Sequence, residues 1–367
     1  MPASGLTPWV TIDHAALRQN LERVRQAAPN SAIWAVIKAD AYGHGMERVA
    51  ATLRDVDGFA VARLDEALRL RADNITKPIL ILEGVHTADE LRVASEAQLQ
   101  IVLHHASQLE IFSVVDLATP ISVWLKLDTG MHRLGFSVDE FEPIRLQLQQ
   151  IPGVGEIAMM THLANADDRS DPATEEQLAL FNKIATGSGG LLSSANSAGL
   201  LGFPASHHDW VRPGIMLYGA SPFSGTTGLQ QGLKPVMTLR SSLISVKQLQ
   251  KGDRIGYSGT YTCPETMPIG VVGIGYGDGY PRHAKAGTPV LVNGQRLPLI
   301  GRVSMDMITV DLRQQPHAQV GDSVILWGDG LPAEQIAELS NTIAYQLFCG
   351  ITNRVRRVDL ALDGVGL

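Results

Sequence analysis

The sequence predicts an α/β protein in two parts: an N-terminal (β/α)8 TIM-type barrel and a C-terminal mainly β domain. Three observations carry this. Nearly continuous apolar runs alternate with amphipathic helical stretches over the first two-thirds of the chain; eight such runs occur there; and after about residue 232 the texture changes to strand-like runs with little helix. Apolar strands that alternate with helices imply a parallel sheet covered on both faces. Eight of them fit a closed barrel better than an open doubly wound sheet, which would also call for a glycine-rich dinucleotide turn.

The elements follow in order. PWVTID (8–13) is strand-like and precedes the barrel pattern, so residues 1–13 can add a strand to the second domain. The eight runs are AIWAVI (32–37), GFAVA (58–62), PILIL (78–82), QIVLH (100–104), ISVWLKL (121–127), GEIAMMTH (155–162), LLSSA (191–195) and WVRPGI (210–215). Between them, stretches such as RLDEALRLRA and TEEQLALFNKIA repeat leucine and alanine at three- and four-residue steps, the helical period. VMTLRSSLISVKQL, IGVVGIGYG, PVLVNG, PLIGRVSMDMITVDL and DSVILWG then read as strands, NG at 293–294 as a hairpin turn, and PAEQIAELSNTI as one helix. The expected domains are 8–232 and 233–367.

Bulk properties narrow the function. The 367 residues are 45% hydrophobic and 18% charged, a globular composition for about two domains. A net charge of −7 gives no electrostatic support to nucleic-acid binding, and the arginines of NRVRRV read as a solvated strand face. The N-terminus shows no signal-peptide pattern, and no apolar run approaches the ~18 residues of a membrane helix. Two cysteines, Cys263 and Cys349, lie far apart and form no metal motif; a cytoplasmic protein without a metal is expected.

Barrels carry their chemistry at the carboxyl ends of the strands. Lys38 ends the first run, Arg133 follows the fifth, His162 ends the sixth, Ser197 follows the seventh, and Arg212 lies in the eighth. Singly, each has an ordinary explanation: a solvated lysine, a structural histidine, a helix cap in SSANSAG, half of a salt bridge. Five together at one rim point to a site. SSANSAG supplies hydroxyls and amides, and RPGI supplies amides beside Gly214, where no side chain blocks close approach, as a phosphate requires. A lysine able to form an imine opposite a phosphate site suggests pyridoxal phosphate.

Over essentially its whole length the sequence resembles the bacterial alanine racemases, through AVIKADAYGHG, LKLDTGMHRLGF, MTHLANAD, NSAG, DWVRPGIMLYG, IGYSGTY, GYGDGYPRH and GRVSMDM. The resemblance implies a pyridoxal-phosphate enzyme that interconverts L- and D-alanine in a homodimer with shared sites. Lys38 then resembles the lysine that holds the cofactor. Tyr42, Ser197, Tyr345 and the backbone at Gly214 and Ile215 resemble its phosphate ligands. Arg212 resembles the arginine facing the pyridine nitrogen, with His162 beside it. Tyr257 resembles the second base, supplied by the other subunit. Arg133 and the Met305 amide resemble the substrate-carboxylate contacts. Asp306, Asp167, Tyr276, Arg282 and Arg302 resemble residues at the entrance. In some relatives the equivalent of Lys126 is carbamylated and braces the arginine, and some carry cysteine where Ser304 stands.

These residue types suit a racemisation, which needs an acid–base group on each face of the substrate, one protonated when the other is not. The resemblance leaves two neighbours in view: a barrel-type racemase of broader specificity, and a decarboxylase of basic amino acids, whose ring-nitrogen partner is usually acidic where this chain has Arg212. From other classes, a cofactor-storing protein would need the barrel alone, and an imine-forming aldolase would be colourless.

Overall fold

The computed structural model describes residues 6–187 and 189–360. They form two compact units: one of residues 18–217 with 222–224, the other of the chain up to 17, 218–221 and the chain from 225 on. In chain order the strands are β1 (Trp9–Asp13), β2 (Ala32–Val36), β3 (Gly58–Val61), β4 (Ile79–Ile81), β5 (Gln100–Leu103), β6 (Ile121–Lys126), β7 (Val154–Met160), β8 (Leu192–Ser193), β9 (Trp210–Val211), β10 (Met237–Leu249), β11 (Arg254–Ile255), β12 (Tyr261–Thr262), β13 (Met267–Val272), β14 (Pro289–Val292), β15 (Gln295–Ile300), β16 (Ile308–Asp311), β17 (Ser323–Trp327) and β18 (Arg356–Leu360).

In the first unit β2 to β9 make one eight-stranded sheet, in the order β8-β7-β6-β5-β4-β3-β2-β9. Every pairing is parallel. The edge strands meet where Ser193 Oγ donates to Trp210 O at 2.6 Å and Arg212 N donates to Ala195 O at 2.9 Å. The sheet is therefore a near-closed (β/α)8 barrel. Strands β3 and β4 are buried at every position, as expected of strands with covered faces. The helix Ala173–Ala185 buries Thr174, Gln177, Leu178, Phe181 and Ala185, one face at helical spacing.

Three tryptophans fill part of this barrel. Trp34 stacks on Trp210 with centroids 4.3 Å apart, and both meet the edge of Trp124, at 6.1 and 6.3 Å. The register sets Trp34 opposite Gly58, where a Cβ would overlap the indole. Trp34 is fully buried. Trp34→Ala is expected to destabilise the barrel by about 3–5 kcal/mol through the cavity it leaves, measured as a lower urea midpoint of the barrel transition.

In the second unit β10 pairs with β13 and β17, and β13-β16-β15-β14-β17 completes a ring of six antiparallel strands. The thirteen residues of β10 span two partners on one edge: β1 lies along 237–240 and β13 along 243–249. Strand β1 also pairs in parallel with β18, so Arg356 and Arg357 of NRVRRV do lie on a strand, whereas Arg354 lies in the turn before it and pairs with Asp278 and Asp306. Asn293 and Gly294, both at positive φ, turn β14 into β15. The run 298–312 is broken: Gly301 takes φ +73°, which favours glycine, and the chain leaves β15 in a loop before β16.

Candidate active site

The barrel unit gathers Lys38, Tyr42, Lys126, Arg133, His162, Asp167, Ser197, Arg212, Gly214 and Ile215 on the carboxyl side of its strands. Lys38 and Arg212 both lie just past their strands, because β2 ends at Val36 and β9 at Val211. Pro213 has no N–H to continue a ladder.

Arg212 is 5% exposed. Its guanidinium donates to Ser193 Oγ, to Thr161 O at 2.5 Å and to Ser194 O at 3.2 Å. All three acceptors are neutral oxygens. Burial lowers its pKa to about 10, so it stays protonated at neutral pH. Burial, then Arg212, Lys126, Arg133 and Lys38, hold His162 well below the ordinary imidazole value, so it is neutral. Lys126, 8% exposed, is lowered to about 8 by burial first and then by Arg212 and Arg133, with Asp128 opposing. These basic groups face one region and attract an anion there.

Arg133 is exposed on a loop that closes on itself through Phe136 N to Lys126 O and Asp128 N to Phe136 O, both 2.9 Å. Asp128 Oδ1 accepts the amides of Gly130 and His132, each at 3.0 Å. Burial pushes that carboxyl up, but these amides outweigh it and leave the pKa below its ordinary value. Asp167 is exposed beyond β7.

Beside this cluster lie hydroxyls and amides that could hold a phosphate. Asn196 Oδ1 accepts the Gly199 amide at 2.9 Å and starts the helix Ser197–Gly202. Ser197 Oγ accepts from Gly214 N at 2.9 Å and Met216 N at 3.4 Å, which fills its lone pairs and leaves its proton to donate. A Cβ on Gly214 would meet the Tyr42 hydroxyl at 2.6 Å, so the phenol lies directly against this glycine. Hydroxyl donors, a close-approach glycine and surrounding cations could hold a phosphorylated aldehyde, with Lys38 as an amine that could meet it.

The segment carrying Lys38 and Tyr42 is strained. Ala39, Asp40, Ala41 and Tyr42 all have φ of 52–53°, a left-handed turn of L-residues. Such a turn costs roughly 1–2 kcal/mol per residue and persists only where its surroundings impose it.

The other predicted residues belong to the second unit. Tyr257 opens the turn Tyr257–Gly259 and is 68% exposed, so it is not a buried strand tyrosine. Gly256 before it has φ 70° and ψ −168°, a region essentially reserved for glycine. Arg302 Nη1 reaches Ser258 Oγ at 3.4 Å, and Arg254, which sequence reasoning missed, donates to Gly259 O and Ser258 O at 3.1 Å each. Tyr276 N donates to Ser304 O at 3.1 Å and Gly277 N to Met305 O at 2.8 Å, which joins the Tyr276 turn to the Met305–Asp306 loop. Arg354, also missed, binds Asp306 at 2.7 Å. Arg282 is exposed, and Tyr345 sits in the helix Ala344–Cys349.

Lys126 gives a signed pH prediction. Its pKa falls from ~10.4 in an unfolded chain to about 8, so keeping it charged costs about 3 kcal/mol. That cost is full below pH ~8 and fades as pH rises toward ~10.4. In cofactor-free protein Lys126→Met is expected to raise the urea midpoint at pH 7, with the gain shrinking by pH 9.5. A carbamylated Lys126 would be an anion among cations, and the substitution would then destabilise.

Comparison with known proteins places these features in one family. Residues 12–222 match the alanine racemase N-terminal domain model, and residues 236–359 the C-terminal domain model. An alanine racemase of Nitrosococcus oceani is 52% identical over 351 residues, 95% of this chain and 98% of that protein. The crystal structure of the biosynthetic alanine racemase of Pseudomonas aeruginosa is 44% identical with a TM-score of 0.94, covering 97% of this chain and 99% of its own. That of Bartonella henselae alanine racemase with covalently bound pyridoxal phosphate is 29% identical with a TM-score of 0.87, covering 96% and 99%. The chain belongs to the alanine racemases, a family of isomerases.

Proposed function

We propose that this chain interconverts L- and D-alanine with pyridoxal phosphate, as a homodimer in which each site joins Lys38 of one copy with Tyr257 of the other. The observation that carries this is the clustering of Lys38, Lys126, Arg133, His162 and Arg212 at the barrel rim beside Ser197 and Gly214. When bound, the cofactor supplies an aldehyde for the substrate amine and a conjugated ring that delocalises the charge left when the Cα proton departs. Ser197, Tyr42, Tyr345 and the backbone at Gly214 and Ile215 hold the phosphate. The cofactor-binding domain, expected over 8–232, corresponds to the barrel unit of 18–217 with 222–224, and the strand Trp9–Asp13 belongs with the other.

The chain's own groups do the proton work. Lys38 takes or gives a proton on one face, and the partner subunit's Tyr257 serves the other. Arg133 and the Met305 amide orient the substrate carboxylate. Arg212 donates a hydrogen bond toward the ring nitrogen while keeping its own proton, which weakens the electron sink and favours prompt return of a proton to Cα over side reactions. Asp167, Tyr276, Arg282, Arg302 and Asp306 line the entrance; Lys126 would brace Arg133 only as a carbamate, since its ammonium repels that arginine.

The enzyme is placed in the cytoplasm on its cysteine usage. No helix among the described residues is long and apolar enough to cross a membrane. The biosynthetic name of the Pseudomonas aeruginosa relative favours supply of D-alanine for peptidoglycan over alanine catabolism. The test is D-amino-acid formation by the purified yellow protein across a panel of L-amino acids. Alanine should turn over fastest; absence of D-alanine would overturn the proposal, and a basic substrate turned over faster would redirect it.

A further inference from the structure

The left-handed turn after β2 is gripped from both ends. At its start, Glu66 Oε1 accepts the Ala39 amide at 2.7 Å, next to Lys38. The other oxygen, Oε2, accepts Ala62 N at 2.7 Å and Arg63 N at 3.2 Å, the usual cap for the helix Leu64–Ala72. One carboxylate thus does two separable jobs. At the far end, His44 is fully buried, and its Nδ1 lies 3.0 Å from Ala41 O and 2.9 Å from Tyr42 O. Both partners are carbonyl oxygens, so Nδ1 carries the proton and donates to both. Within the turn, Asp40 Oδ1 accepts Met46 N at 3.0 Å.

We propose that Glu66 and His44 are positioning residues that impose the left-handed turn, and so set Lys38 and Tyr42 in place before any cofactor arrives. The inference rests on Lys38 being the capturing amine. The sequence offers no other reason for the turn: Ala39 and Ala41 have no preference for positive φ. Helix capping alone would need one oxygen of Glu66, and a glutamine would supply it. Holding Ala39 as well needs a second acceptor, which only the carboxylate has.

Glu66→Gln therefore separates the two jobs, because it keeps the cap and loses the Ala39 bond. In cofactor-free protein we expect it to speed hydrogen exchange at the amides of Ala39 to Tyr42. We also expect it to weaken pyridoxal phosphate binding about tenfold in a spectrophotometric titration, with the melting temperature almost unchanged. Glu66→Ala should add a lower melting temperature. His44→Asn keeps an N–H near the two carbonyls and should behave as the parent, whereas His44→Leu should match Glu66→Gln. A Glu66→Gln protein with parental exchange and affinity would overturn the inference. So would an Ala39 amide that exchanges as fast as an open one in the unaltered protein, whatever the variants do. Reductive trapping on a residue other than Lys38 would instead defeat the catalytic reading, while the exchange data still judge the grip on the turn.

Discussion

Replacing Lys38 by alanine is expected to lower racemisation by about 10³-fold or more, since a positioned general base alone contributes about 10²–10⁴-fold and the covalent hold on the cofactor goes with it. The loss must be equal from L- and from D-alanine: the two are mirror images of equal free energy, so kcat/KM in the two directions is tied to an equilibrium constant of one. Borohydride treatment followed by peptide mapping should find the pyridoxyl group on Lys38 in the parent and on no lysine in the variant. The protein should stay folded, because Ala39, Ala41 and Tyr42 keep the turn's bonds to Glu66 and His44. Residual activity within tenfold of the parent, or a label on another residue, would remove Lys38 from its role.

What could be read in advance follows from which interactions are local. The barrel strands were legible because burial on both faces leaves a continuous apolar run, and the helices because one face repeats at helical spacing. Strand ends were overdrawn where the chain must release its ladder. WVRPGI looks like one strand, but Pro213 stops it after Val211 and thereby leaves Arg212 at the rim. PLIGRVSMDMITVDL looks like one strand because its apolar content hides Gly301, whose positive φ makes the loop for Arg302, Met305 and Asp306. The helix Ala344–Cys349 was missed because six mostly apolar residues carry no amphipathic period. Ring closure of β10 on both β13 and β17 depends on pairings distant in sequence, which no pattern reports.

The candidate site divides in the same way. Residues inside compact motifs, such as Lys38, Tyr42, Ser197 and Arg212, announced themselves. Their supports did not. Thr161 holds Arg212 through a backbone carbonyl, which is sequence-blind. Glu66 lies inside RLDEALRLRA, where only the helical repeat was legible. The left-handed turn was invisible because nothing in Ala39-Asp40-Ala41 asks for positive φ.

Tyr257→Phe removes only a hydroxyl, from a side chain that is 68% exposed in one chain, and should leave the fold intact. Racemisation is nevertheless expected to fall by about 10²–10⁴-fold, the value of a positioned acid–base group. Overall rates again fall equally in both directions, so the asymmetry lies in the proton step. In deuterium oxide, the enantiomer served by Lys38 should still exchange its Cα hydrogen while keeping its configuration, and its mirror image should remain unexchanged. Equal exchange of both enantiomers would remove Tyr257 from the mechanism. Mixing then tests whether the phenol comes from across a two-fold interface. When Lys38→Ala and Tyr257→Phe proteins are re-formed together in equal amounts, half the dimers are mixed, and one of the two sites in each joins an intact Lys38 to an intact Tyr257. Activity should therefore recover to about one quarter of the parent value, a result symmetry requires of a shared site. If both residues of a site belonged to one chain, no mixture would contain a complete one, and activity would stay at the level of the two inactive parents.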